Sequence, residues 1–187
     1  FLLSGILSSD YVDINSDGIT DDDAGEAIKF NYTRYATDYR WRMPFDQNKA
    51  NYHEGLLATV EDDKANYIYG AKELWYMHSI ESKTFVAQFI LEDRDDALGI
   101  LGENGGKDAN QKQQRLKEII LYSKADLIKN GTGAIPIKTV HFRYDYELCP
   151  GVLNQVDTEL GKLTLKEVYF TYGNNVRGRL TGYKFTY

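Results

Sequence analysis

The chain has 187 residues, a formal net charge of −6 and a hydrophobic content of 42%. The hydrophobic content indicates a globular protein, and the length allows one domain or two small ones. The acidic balance argues against nucleic-acid binding, which normally requires a basic face, and no apolar run is long enough for a membrane helix. Neither a nucleic-acid partner nor membrane insertion is therefore expected.

The first recognisable element is an acidic loop at residues 13–21, with the pattern D-x-N-x-D-G-x-x-D. Calcium takes roughly six to eight oxygen ligands, and Gly18 allows the sharp bend that wraps such a loop around the ion. A late carboxylate would come from Asp22, Asp23 or Glu26, of which Asp23 is taken as the ligand. The pattern thus predicts a calcium site formed by the side chains of Asp13, Asn15, Asp17, Asp21 and Asp23 and by the carbonyl of Ile19.

The loop is not a standard EF-hand, because Ala24 stands at the twelfth position, where an EF-hand has a bidentate glutamate. The alternative is an acidic turn without metal. Five acids between residues 13 and 23 repel one another unless a cation lies among them, which favours calcium. The shorter pattern resembles the calcium-binding loops of FG-GAP and VCBS-type repeats and of thrombospondin type 3 repeats, which belong to extracellular proteins.

After this loop the chain predicts a mainly β fold, with antiparallel sheets of meander or hairpin units, long loops and little helix. We expect residues 1–26 to form a calcium-loop segment and residues 27–187 an antiparallel β module. Strands are predicted at residues 28–33 and 39–43, and the runs 73–82 and 83–92 could pair with one another. The first strand is predicted from alternation, the second from its aromatic and basic residues, and the two runs from their apolar content. Residues 46–64 are polar and mixed, which predicts a long loop.

The polar stretch at residues 92–114 predicts a loop or mobile insertion, followed by a short helix entering Arg115. It begins with a second acidic cluster, which would be either a cation site, a carboxylate pair for glycoside hydrolysis or a solvated turn after a strand. Arg94 partly neutralises the cluster, which favours the solvated turn. The acids concerned are Glu92, Asp93, Asp95 and Asp96.

An internal echo relates residues 116–121, LKEIIL, to residues 165–170, LKEVYF. In both, apolar residues are spaced by three and then by two, which a regular strand cannot place on one face. We therefore predict a β-bulge near Lys117-Glu118 and another near Lys166-Glu167. The echo indicates two hairpin units, 115–146 and 161–187, which contain the clearly alternating strand 140–146 and a last strand at 183–187.

Trp41, between two arginines, and Trp75, beside Tyr76, could form a platform on which a sugar stacks, although packing in the core is the commoner fate of tryptophan. The histidines lie far apart in sequence, without the spacing of a zinc site, and His141 is expected on the surface of a strand.

Cys149, the single cysteine, excludes an internal disulfide framework, and no base adjoins it in sequence. The chain opens without methionine or a charged leader, which favours a segment of a longer protein over a signal peptide.

The second half of the chain carries motifs of one family. Residues 136–146, PIKTVHFRYDY, contain the dipeptide Tyr144-Asp145, and residues 170–172, FTY, are followed by GRLT at 178–181. With the acidic loop upstream, this order resembles very large bacterial proteins of the RHS/YD-repeat and SpvB/TcB toxin-component type, although Gly173 stands where their repeat has aspartate. The resemblance implies an antiparallel β module of a secreted or surface-exposed protein, with a structural role such as encapsulation and no catalytic residues.

These observations predict a non-catalytic, calcium-stabilised structural module of a large secreted or surface bacterial protein, whose partners are flanking domains of the same chain. The first alternative is a calcium-dependent carbohydrate-binding module, with a glycan as partner and with Trp41 and Trp75 exposed on one face. The second is a hydrolase, which needs two carboxylates converging in a cleft.

Overall fold

The computed structural model describes residues 1–51 and 65–187 and contains one antiparallel sheet of eight strands, paired in chain order. The mainly β prediction is confirmed. The strands are β1 (Gly5–Leu7), β2 (Ala27–Met43), β3 (Ile68–Glu81), β4 (Phe85–Ile100), β5 (Lys107–Ser123), β6 (Lys138–Leu148), β7 (Lys162–Thr171) and β8 (Tyr183–Lys184). The helix α1 (Lys124–Asn130) joins β5 to β6, and none of the helices in the described ranges is long and apolar enough to cross a membrane.

The six long strands form three hairpins, which we call unit 1 (β2–β3), unit 2 (β4–β5) and unit 3 (β6–β7). Within each unit the strands pair over most of their length. Neighbouring units pair only briefly, through residues 79–81 with 86–88 and through residues 118–121 with 138–141. We call this end of each unit its base and the opposite end its tip, so the units are joined at their bases and extend away from them.

Both predicted bulges are confirmed. Lys117 is the extra residue between the pairs Leu91–Leu116 and Ile90–Glu118, and Lys166 is the extra residue between Tyr144–Leu165 and Arg143–Glu167. A third bulge, which the sequence analysis missed, places His78 in the same role in β3 of unit 1. Its signal was present, because Met77 and Ile80 show the same apolar spacing of three that Leu116 and Ile119 show.

The prediction of a loop at residues 92–114 is wrong, because β4 continues to Ile100 and β5 begins at Lys107. The short helix lies after β5, not before Arg115. These strands contain many polar residues because the pairing of β4 with β5 is irregular in two places. Residues 94–97 of β4 lie opposite Gln113 alone, and residues 109–111 of β5 have no partner in β4. Such irregular segments can hydrogen-bond to neighbours outside their own hairpin.

Other boundaries also differ from the predictions. The strand predicted at 39–43 is the end of β2, and β8 ends at Lys184, after which the backbone N–H of Phe185 still donates to the carbonyl of Lys166 at 2.9 Å. The runs 73–82 and 83–92 pair only at the base of their units. Of the loop predicted at 46–64, residues 52–64 lie outside the described ranges.

The core lies mainly where the tip half of unit 1 meets unit 2. The hydroxyl of Tyr39 donates to the carbonyl of Ala97 at 3.2 Å, and both residues are buried together with Leu98 and Ile100. Gln111 ties the two units together, because its side-chain oxygen accepts from the Arg40 backbone N–H at 2.8 Å. On the other side of unit 2, the loop before β7 pairs with β4, where the N–H of Val156 donates to the carbonyl of Asp95 at 2.8 Å.

Candidate metal centre

The acidic loop lies between β1 and β2 and is closed by an isolated pair of hydrogen bonds between Val12 and Ala24. The carboxylate of Asp13 organises the bend, because it accepts from the backbone N–H of Asp17 at 3.3 Å and of Gly18 at 3.1 Å. Gly18 has a φ of +94°, a conformation that glycine adopts without steric cost. This local geometry is that of an Asx-type turn, and the sequence D-x-N-x-D-G favours it.

Three carboxylates of the loop converge. Asp13, Asp17 and Asp23 each place an oxygen within 4.8 Å of the others, and they range from exposed at Asp17 to buried at Asp23. Carboxylate oxygens are the ligands that hard cations prefer, and three of them around one point suit calcium chemically. The cluster includes the first and fifth positions of the predicted calcium loop and the late carboxylate Asp23.

Asp23 is the most constrained of the three. Its Oδ2 accepts from the Thr20 backbone N–H at 2.9 Å and from the Tyr11 hydroxyl at 2.7 Å, and its Oδ1 accepts from the Ile14 backbone N–H at 3.2 Å. The hydrogen bonds from Thr20 and Tyr11 hold the pKa of Asp23 below its ordinary value although burial opposes them. In return, the hydrogen bond to Asp23 raises the pKa of Tyr11 to about 12.

The other predicted ligands lie elsewhere. The Asn15 amide donates to the side chain of Asp22, the Ile19 carbonyl accepts from Lys29 Nζ at 3.0 Å, and Asp21 forms an ion pair with Lys124. The structure therefore brings Asp13, Asp17 and Asp23 together, and it places Asn15, Ile19 and Asp21 in contacts with other protein groups.

Three lysines attach the loop to the base of the sheet, and sequence reasoning did not identify them. Besides Lys29 and Lys124, Lys83 donates from Nζ to the carbonyl of Asp23 at 2.8 Å. They come from β2, from the turn between β3 and β4, and from the start of α1. A cavity of about 290 Å³ lies between the loop and these lysines, and its walls include Tyr11 and Glu81. The loop is thus bound to β2, to the turn between β3 and β4 and to α1 by cations outside the acidic cluster.

The two tryptophans belong to unit 1 and stay partly exposed, with 38% of Trp41 and 43% of Trp75 accessible to solvent. They lie at different positions along the hairpin, because Trp41 is opposite Gly70 and Trp75 is opposite Arg34. The Trp75 indole N–H donates to Glu73 at 2.9 Å, and the Arg34 guanidinium lies 5.7 Å from the centre of its ring.

The interpretation of the second acidic cluster as a solvated turn is wrong, because all four acids lie within β4. Asp96 is fully buried, and its carboxylate accepts from Arg94 Nε at 3.0 Å, from Arg94 Nη2 at 2.9 Å and from the Leu163 backbone N–H at 3.0 Å. Burial alone would raise the pKa of Asp96, but these hydrogen bonds and the arginine charge bring it below its ordinary value.

The neighbouring acids have separate partners. Glu92 pairs with Arg115 at 2.9 Å, and Asp93 accepts from the amide of Gln114 at 2.6 Å and lies 3.6 Å from Lys112. Glu92, Asp93 and Asp96 are therefore each neutralised by their own basic residue.

His141 is on the base of unit 3 and half-buried. Its Nδ1 is 3.0 Å from Glu118 and its Nε2 is 2.8 Å from the Thr171 hydroxyl, while its ring stacks on Tyr169. Such a histidine joins three strands of the sheet. Cys149 is exposed beyond the end of β6, with a φ of +54°.

No family model, curated protein or solved structure matches the chain.

Proposed function

We propose that the chain is a non-catalytic structural module, stabilised by calcium, of a large secreted or surface bacterial protein. The observation that carries the proposal is the convergence of Asp13, Asp17 and Asp23 within 4.8 Å in a loop of calcium-binding spacing. A cation at this point would neutralise three carboxylates and fix the bend between β1 and β2.

The attachment of the loop supports a structural role. Lys29, Lys83 and Lys124 bind the loop from outside the cluster, so a cation among the carboxylates would bind the turn at a separate point. Flanking domains of the same large chain are the proposed partners, since many large hydrophobic side chains are exposed over the sheet.

Thermal and denaturant unfolding with calcium or with a chelator tests the proposal. Ligand that binds only the native state stabilises it by about 2.7 kcal/mol at a hundredfold excess over the dissociation constant. We expect calcium to raise the free energy of unfolding of the wild-type chain, and Asp17→Ala to abolish the increase. Asp21→Asn should keep it, because Asp21 is paired with Lys124 outside the cluster.

An unfolding curve that calcium leaves unchanged would refute calcium binding by this cluster. Loss of the calcium effect in Asp21→Asn as well would favour the ligand set predicted from sequence over the observed cluster.

A second candidate function is calcium-dependent carbohydrate binding, because Trp41 and Trp75 both keep more than a third of their surface exposed. An aromatic ring with a free face can stack on the apolar face of a sugar. Glycan binding that is lost in Trp75→Ala and after chelation of calcium would support this function. Absence of glycan binding by the wild-type chain would exclude this function, and binding retained in both cases would exclude its dependence on calcium and on Trp75.

A further inference from the structure

The pairing between units ends at the same place in every junction. The last pairs before the units diverge are Ser79–Gln88, Glu118–His141 and Glu167–Lys184. In each, the first residue directly follows a bulge residue, His78, Lys117 or Lys166. The bulge therefore marks the position where one unit separates from the next.

We call the second strand of each unit (β3, β5 or β7), which runs from tip to base, its returning strand. Strand β1 matches the base of such a strand. Its last pair toward the tips is Gly5–Lys29, and residues 3–6 read Leu-Ser-Gly-Ile, with the apolar spacing of three found around each bulge. The corresponding segments are 77–80 (MHSI), 116–119 (LKEI) and 165–168 (LKEV).

We call the first strand of each unit (β2, β4 or β6), which runs from base to tip, its outgoing strand. Strand β8 matches the base of such a strand. In each of the three units, a phenylalanine of the outgoing strand lies opposite the apolar residue that ends the four-residue segment around the bulge. The pairs are Phe30–Ile80, Phe89–Ile119 and Phe142–Val168. Phe185, one residue after β8, occupies the same position, because Lys184 pairs with Glu167 as His141 pairs with Glu118. The two edges of the sheet are thus two halves of one further hairpin base.

Among the described residues, both edges offer backbone groups without a partner, together with apolar side chains. The Ser4 carbonyl and the Ser8 N–H bond inward to β2, so strand alternation directs the N–H and C=O of Gly5 and Leu7 outward. At the other edge the Phe185 N–H bonds inward, so the groups of Lys184 and Thr186 point outward.

Exposed apolar side chains lie on both edges, beside the exposed Lys184 and Thr186 of the β8 edge. Ile6 and Leu7 are about half exposed, Phe185 is 39% exposed, and residues 1–9 contain no charged side chain. Natural edge strands usually carry charges or prolines that discourage pairing, and β1 has neither.

We propose that β8 of one copy of this chain pairs with β1 of a second copy, head to tail, and so completes a hairpin base from two molecules. Strand direction permits this, because strands alternate across the sheet and the first strand of the second copy runs antiparallel to β8. The register follows from the three units and places Phe185 opposite Ile6 of the second copy. The same two edges stay free at the ends of the dimer, so the contact propagates. This inference goes beyond the proposed function and does not require calcium.

Disulfide trapping tests the register. Phe185 and Ile6 would form a non-hydrogen-bonded pair, whose Cα atoms lie about 4.5 Å apart, within the range of a disulfide. In a Cys149→Ser background, a Phe185→Cys chain is mixed with an Ile6→Cys chain carrying a mass tag. We expect the mixed disulfide to form in preference to either homodisulfide.

Leu7→Cys is the control, because its side chain points to the opposite face, and it should cross-link poorly with Phe185→Cys. Equal yields from the two mixtures, or a preference for homodisulfides, would overturn the register.

Sedimentation tests the association itself. The mean mass of the wild-type chain should rise above 21.4 kDa with concentration. Leu7→Lys blocks the β1 edge and Lys184→Pro blocks the β8 edge, where an outward N–H is removed. Each variant alone should be monomeric, and an equimolar mixture should form a dimer that grows no further. Leu101→Lys, which changes a leucine at the tip of unit 2 that is at least as exposed as Leu7, should associate like wild type.

A wild-type chain that stays monomeric to millimolar concentration would overturn the proposal and leave a hairpin from another source as the occupant of these edges. Dimers of either single variant alone would also overturn it, because they would show pairing between like edges.

Discussion

At the residue scale, the part of the chain that the structure describes contains two arginine–aspartate pairs with the same spacing and different surroundings. Arg94 and Asp96 stand two apart in β4, with Asp96 fully buried. Arg40 and Asp38 stand two apart in β2, and their side chains are 37% and 48% exposed. Removing one partner from a buried pair leaves an uncompensated charge, whereas exposed pairs are screened by water.

We predict that Asp96→Asn lowers the free energy of unfolding by about 3 to 5 kcal/mol, because Arg94 loses its counter-ion inside the protein. Asp38→Asn, the matched control, should lower it by about 1 kcal/mol or less. Denaturant unfolding of both variants at neutral pH measures the difference. Equal losses would contradict the assignment of Asp96 as a buried structural anion.

The hydrogen bond between Tyr11 and Asp23 predicts pH dependence at both extremes. Because the folded-state pKa of Tyr11 is raised to about 12, its stabilising contribution is complete below its ordinary pKa of about 10 and is lost as pH rises through the folded value. Because the pKa of Asp23 is lowered, its contribution is present above about 3.9 and is lost as pH falls through the folded value.

In Tyr11→Phe, the free energy of unfolding should therefore fall less steeply as pH rises above about 10. It should also fall less steeply in acid, because Asp23 loses one of the hydrogen bonds that lower its pKa. Denaturant unfolding of wild type and variant across the pH range checks this, and curves that differ only by a constant offset would contradict it.

At the element scale, the bulges could be predicted because apolar spacing of three in a strand requires one extra residue. The spacing at Leu116–Ile119 and Leu165–Val168 gave two of them. The third was missed because residues 77–80, MHSI, have the same spacing but do not share the letters LKE that relate the other two. The irregular segments 94–97 and 109–111 could not be predicted, because their polar residues bond to other units and leave no periodic trace.

Deletion of Lys117 should be tolerated, because Leu91–Leu116 and Ile90–Glu118 become consecutive regular pairs without a change of face. We expect a loss of roughly 1 to 3 kcal/mol, mainly from the lost bend. Deletion of Thr33, an exposed strand residue whose pair with Tyr76 lies between consecutive regular pairs, shifts the register of β2 and should prevent cooperative unfolding. Circular dichroism with denaturant titration compares them, and a folded Thr33 deletion beside an unfolded Lys117 deletion would reverse the argument.

At the scale of the whole molecule, alternation and composition were enough to predict an antiparallel β fold, because each strand carries its own pattern. They could not show how the units pack, since the contact between Tyr39 and Ala97 joins residues far apart in sequence. The acidic cluster was partly predictable from local spacing. Its attachment was not, because Lys83 and Lys124 reach the loop from other elements of the fold.

The joining of units at their bases has a consequence for how such a chain can change over evolutionary time. The tip connections, residues 44–67, 101–106 and 149–161, differ greatly in length although the junctions repeat the same pairing. Insertions at a tip leave the register of every junction untouched, and long surface insertions cost little closure entropy. Changes in the length of a tip connection therefore leave the junctions intact, whereas the residues around each bulge are held to one pattern.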